Sequence, residues 1–136
     1  MTVEINTNVG RGFMTIDIEG WATAAGCLGS IANPEGVPLA ILRAYLYVET
    51  PSAAAAVLSV GVGTLAAAST DVINALEMNQ TAGTLWNGVD LDITSKAAMT
   101  TPAIWTAALY LNFTTATQIS TAFRGKLFVE YLRLTG

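Results

Sequence analysis

One domain is what 136 residues allow: enough for a core of its own, too few for two. Six Lys and Arg against ten Asp and Glu give a net charge of −4, so the clustered cations of a nucleic-acid binder are missing, and 12% charged against 52% hydrophobic residues excludes a disordered chain. There is no His to act as base or metal ligand, and Cys27 has no second cysteine for a disulfide or a zinc cage.

Met1 to Asn6 carries neither the positive region nor the apolar run of a signal peptide. Val3 and Ile5 read in two ways, as a first strand or as part of an arm over residues 1–12, with residues 13–136 forming the single domain. Phe13 to Glu19 alternates: Met14, Ile16 and Ile18 face one way, Thr15, Asp17 and Glu19 the other. Gly20 to Gly36 reads as a long connection broken by Gly26, Gly29, Asn33-Pro34 and Gly36, with room for one helical turn around Thr23 to Leu28.

Val37 to Glu49 is the strongest strand, opened by Pro38 and closed before Pro51. Leu39, Ile41, Arg43, Tyr45 and Tyr47 share one face; Ala40, Leu42, Ala44, Leu46 and Val48 share the other. Two apolar faces predict a central strand lying between two layers. Val57 to Val62 is a shorter strand in which Gly61 allows close packing. The surrounding run, Ala53 to Ala68, falls short of the about 20 residues of a membrane span, so no membrane partner is expected.

Asp71 to Met78 carries a helical stripe of Val72, Ile73 and Leu76 behind a cap at Ser69 or Thr70, which predicts one short helix. In Leu85 to Thr94 the turn pair Asn87-Gly88 precedes Val89, Leu91 and Ile93, which alternate with Asp90 and Asp92. Ile104 to Phe113 and Lys126 to Leu134 are the two late strands, and in the last Leu127, Val129 and Tyr131 oppose Phe128, Glu130 and Leu132. Leu42, Leu46, Leu109 and Val129 are the expected core positions. The pattern predicts an all-β, antiparallel two-layer sandwich, jelly-roll-like, with that one short helix.

Sites for chemistry are scarce. Asp90 and Asp92 share a strand face with Cα atoms ~7 Å apart, which makes them the best metal candidates. Calcium takes about six to eight oxygens, however, and no loop here supplies them, so a solvated strand face is the reading for this pair and for Asp17 with Glu19. Lys96 and Lys126 are the only lysines, and neither stands where it could activate a serine. Cys27, among Ala, Gly and Leu, reads as a buried, inert thiol. Gly10-Arg11-Gly12 and Gly61-Val62-Gly63 are too short for phosphate loops, and the Asn79 and Asn112 sequons arise easily in a Thr-rich chain. No catalytic residue and no cofactor is expected.

Trp105 reads as packing, whereas Trp21 after Gly20 and Trp86 beside a turn are candidate contact residues. With Val3, Ile5 and Arg11 they make up the interface candidates. The low charge supports such contacts. Charged residues are about half the ~25% usual in soluble domains, and interface cores are poor in charge. A neutral, Thr-rich β surface on a monomer is the alternative.

The layout also has a likeness. An apolar strand opened by Pro38 (Val37 to Val48) precedes a small-residue loop, the strand Leu58-Ser59-Val60-Gly61-Val62-Gly63 and an Ala-rich stretch before Asp71. A closing strand reads Lys126-Leu127-Phe128-Val129-Glu130-Tyr131. From about residue 13 to 134 this resembles the small jelly-roll virion proteins of tailed bacteriophages, namely trimeric capsid decoration (cement) proteins and head-fibre bases. The resemblance implies a homotrimer at three-fold or quasi-three-fold positions that clamps the major capsid protein against internal DNA pressure. It implies a place on the capsid exterior, after synthesis in the host cytoplasm, with no catalytic residues to carry over. The alternative is a receptor- or carbohydrate-binding sandwich module of a tail, baseplate or head fibre, using Trp21, Trp86 and Asn87.

Overall fold

Alternation between Phe13 and Glu19 becomes a strand in which Ile18 is buried while Asp17 and Glu19 face water. The computed structural model describes residues 10–20, 26–87, 102–115 and 121–134. Among these, the strands are β1 (Arg11–Glu19), β2 (Gly26–Ala32), β3 (Leu39–Thr50), β4 (Val57–Gly63) and β5 (Ile73–Glu77). Then come β6 (Leu85–Asn87), β7 (Ile104–Trp105), β8 (Tyr110–Thr115) and β9 (Arg124–Arg133).

Their pairing is nested: β1 with β9, β2 with β8, β3 with β6 and β4 with β5, all antiparallel. One long hairpin rolled up on itself gives this order, which is the jelly roll. Two sheets result, β1-β9-β3-β6 (with β7 on β3) and β2-β8-β4-β5. Between them lie Leu39, Ile41, Leu46, Val48, Leu58, Val60, Trp105, Leu111, Leu127 and Val129, all essentially inaccessible. The two-layer all-β sandwich expected from periodicity is therefore what forms.

Four local expectations change. The predicted helix at Asp71 to Met78 is replaced by strand β5. Asp71 Oδ1 accepts the Val62 amide at 2.8 Å and Val72 N donates to Val60 O at 3.0 Å, which pins the chain alongside β4. Ile73 and Leu76 nevertheless both reach the core, because the register shifts between Leu58 and Val60 and Ala75 takes φ 54°. A bulge puts residues three apart on one face, which imitates a helical stripe.

The glycine-rich connection after Gly20 contains β2, an edge strand with its own register shift between Cys27 and Gly29. Glycines that read as breakers serve here at an edge and a bulge. The late segment Ile104 to Phe113 is two strands, parted by a turn in which Leu109 N donates to Thr106 O at 3.1 Å. Ala107 is exposed in it, while Trp105 is sealed and its Nε1 donates to Leu109 O at 2.9 Å. Leu109 itself is only partly buried.

The fourth change is in β3. Its register against β9 shifts between Ile41 and Arg43, so the buried set passes from Leu39 and Ile41 to Ala44, Leu46 and Val48. Leu42 is left half-buried, and Arg43, Tyr47 and Glu49 face outward, so the strand is central in its sheet but covered on one face only. We therefore expect Leu46→Ala to cost about 2–5 kcal/mol and Leu42→Ala under ~1 kcal/mol. Urea melts of the two variants check the bulge directly.

Candidate assembly interface

Among the described residues no group of three His, Cys, Asp or Glu could hold a metal ion, and no helix is long and apolar enough to cross a membrane. Val3, Ile5, Trp21, Asp90 and Asp92 lie outside the described residues. Cys27 is half-buried rather than sealed, with Sγ donating to Gly29 O at 3.2 Å. What the fold displays is surfaces, and they differ sharply.

The outer face of the β1-β9-β3-β6 sheet carries an ion-pair ladder. Lys126 on β9 reaches Asp17 on β1 at 2.6 Å and Glu49 on β3 at 3.7 Å; Arg124 reaches Glu19 at 2.5 Å and Arg11 reaches Glu130 at 3.1 Å. The Asp17 carboxylate holds the Lys126 ammonium above its ordinary pKa. Arg11, an interface candidate, thus pairs with Glu130 of its own chain. Exposed pairs of this kind add little stability. Between the charges stand Phe13, Tyr45, Tyr47, Phe128 and Leu85; Phe13 is 62% and Leu85 58% exposed.

At one end of this ladder Glu35, Tyr131 and Arg133 lock the 33–38 loop to β9. Arg133 pairs with Glu35, and Tyr131 donates its hydroxyl proton to Glu35 Oε1 at 3.2 Å. The Tyr131 ring lies across Gly12, where a Cβ would collide with it. The Arg133 hydrogen bond holds the Glu35 carboxyl below its ordinary pKa. A lowered carboxyl stabilises the fold above the unfolded carboxylate pKa, and loses that contribution as pH falls through the lowered value. Wild type should thus lose stability between pH 5 and pH 2 faster than Glu35→Gln does. Melting temperatures of both proteins across that range read the difference.

The outer face of the other sheet is covered by the chain itself. Asn112, fully buried, donates from Nδ2 to Thr64 O at 2.8 Å and Ala67 O at 3.0 Å. Its Oδ1 accepts from Ser30 Oγ at 2.6 Å and from Ala66 N at 3.2 Å. Three of these four bonds hold the 64–70 loop down over β4 and β8, and the fourth ties Ser30 of β2 to the same side chain. Gly61 makes room, since a Cβ there would strike Ser69 and Asp71. An asparagine so enclosed is closed to glycan attachment in the folded chain.

Trp86, a candidate contact residue, sits opposite Leu46 and packs against the core, half-buried. Its Nε1 is enclosed and has no hydrogen-bond partner among the described residues.

One end of the sandwich has a different character. Ser52 N donates to Met78 O at 2.9 Å, Ala53 N to Thr121 O at 2.9 Å and Gly20 N to Phe123 O at 2.9 Å, so the 51–56, 78–84 and 121–123 connections meet there. Ala53, Ala54, Ala55, Thr81, Ala82, Thr121 and Ala122 are exposed on it, and none of these connections contains a charged residue. The opposite end displays Glu35 and Asp71. Burying a charge is costly, and burying Ala, Thr and Gly is not. These neutral loops, bordered by Glu49, Glu77 and Arg124, form an uncharged patch at this end, and sequence reading missed it because the loops are far apart in the chain.

No family model matches the chain, and no curated protein matches it. Two solved structures do. A chain of the capsid of Ralstonia phage GP4 aligns over 100% of this chain and 93% of its own length, with 18% identity and a TM-score of 0.57. A chain of the acid-stable capsid of Helicobacter pylori bacteriophage KHP30 aligns over 92% and 89%, with 13% identity and a TM-score of 0.42. The Ralstonia phage likeness is one of fold, and it extends over the whole sandwich.

Proposed function

We propose that the chain is a non-enzymatic structural protein of a bacteriophage virion, a homotrimer that decorates the capsid from outside and braces its major capsid protein. The observation that carries this reading is the full-length likeness of fold to a chain of the Ralstonia phage GP4 capsid. The surfaces suggest how it works. The end carrying the uncharged 51–56, 78–84 and 121–123 connections seats on the capsid, where covering Ala53, Ala54, Ala82 and Ala122 buries no charged side chain of the loops themselves. The ion-paired outer face of the β1-β9-β3-β6 sheet stays in water, where its charges are already matched to one another. Bracing needs no chemistry, only buried area repeated at every site of a lattice. The binding-module alternative draws on Trp86, whose ring is turned into the core.

The test is co-sedimentation of the purified chain with capsids lacking it, beside its mass by sedimentation equilibrium. Three times 14.2 kDa and saturable binding are expected. Ala54→Glu with Ala82→Glu should abolish binding and leave the melting temperature unchanged. A 14.2 kDa species that ignores capsids contradicts the proposal.

A further inference from the structure

The two sheets do not close on the side where β1 and β2 run. β1 ends one sheet and β2 ends the other, and no described strand pairs with the free edge of either. Between them opens a groove lined by Ile16, Ile18, Leu28, Ile31 and Phe113, with Asp17 and Glu19 at its rim. Its floor is unfinished core: Met14, Ile16, Leu28 and Ile31 pack on the buried cluster yet remain only partly covered. At Gly29 nothing lies within 4 Å of where a Cβ would stand, so the wall is open there. Two unpaired edges flanking an apolar floor form a seat for an added strand, bound through backbone hydrogen bonds and alternate side chains.

We propose that this groove takes residues 1–9 of a second copy of the chain. That segment alternates as a half-buried strand must, Val3 and Ile5 against Thr2, Glu4 and Asn6. Its length, ~30 Å when extended, is enough to cross to a neighbour. Turn chemistry opposes a tight two-residue return to its own β1. Gly10 still lies beside β9, with its carbonyl accepting the Arg133 amide, so the pairing with β9 reaches back to Gly10. A two-residue hairpin turn would centre on Asn8-Val9 or Val9-Gly10. The favoured primed turns would then set Val9 at positive φ, or Asn8 where glycine is required. Exchange between copies avoids both. The inference rests on the self-association in the proposed function, not on the capsid.

The test is disulfide trapping in the full chain with Cys27→Ser, Ile5→Cys and Gly29→Cys, and a parallel chain with Val3→Cys in place of Ile5→Cys. Mild oxidation should give non-reducing gel bands at two and three times the chain mass. Oxidation confined to the single-chain band, or thiols left free in both variants, overturns the placement. Sedimentation of the same samples separates the two ideas. A multimer without links removes only the arm from the groove, while a monomer removes the self-association as well.

Discussion

Trp105→Ala is expected to cost about 3–5 kcal/mol, a large share of the roughly 5–15 kcal/mol that holds a domain of this kind together. The side chain is 0% exposed and heads the largest sealed residues of the core. It stands on β7 where that strand borders β3 at Leu39, and it closes the end of the sandwich away from the neutral loops. Truncation leaves a cavity that the surrounding β ladders cannot collapse to fill. It also strips Leu109 O of the indole proton that fixes the turn into β8. Urea denaturation should show the midpoint falling with the slope unchanged, and Trp105→Phe should recover part of the loss. Phe13→Ala, made at an exposed ring of comparable size, should move the midpoint by under ~0.5 kcal/mol.

Asn112→Ala should cost about 2–4 kcal/mol by a different route. The substitution removes little apolar area but leaves Ala67 O without its donor and Ser30 Oγ without this acceptor, and it takes one of two partners from Thr64 O and from Ala66 N. The 64–70 loop then gains more by lifting into water than by staying down. Ala66 is held at φ 61°, a strained setting for a residue with a Cβ, which favours release further. Hydrogen exchange should show the Ala66 and Ala67 amides losing protection while the β1–β9 ladder keeps its own. Asn112→Asp should do no better, since a carboxylate cannot donate to two carbonyls. If exchange in the loop is unchanged in both variants, Asn112 is not what holds it.

The sandwich was legible wherever alternation was unbroken. Lys126 to Tyr131 and Phe13 to Glu19 put the predicted faces in and out, because strand parity alone decides which side chain points inward. Legibility failed at bulges, where one extra residue resets parity. Leu42 left the core that way, and Ile73 with Leu76 took on helical spacing although the backbone is extended. Nothing in the sequence marks Ala75 as the residue with positive φ, since alanine is a poor choice for it. Gly26 and Gly29 read as chain breaks because a glycine that bulges an edge strand looks the same as one that ends it.

The surfaces were legible in composition but not in position. Low charge announced that some face could be covered cheaply, yet loops at 51–56, 78–84 and 121–123 come together only through the rolled topology. Asp17 and Glu19 were correctly placed on an outward face. Their cations, Lys126 and Arg124, lie across a pairing of the first strand with the last, which local pattern does not reveal.

Under the proposed function a phage encodes the chain, and cryo-electron microscopy of that phage's virions tests the central claim most directly. The account predicts three copies of the sandwich around a three-fold or quasi-three-fold position on the outer capsid surface. Their 51–56, 78–84 and 121–123 loops should face the shell, and the outer face of the β1-β9-β3-β6 sheet should remain free in solvent. Particles in which the chain is absent, lies inside the shell, or stands singly on a tail fibre with the neutral end exposed would contradict it.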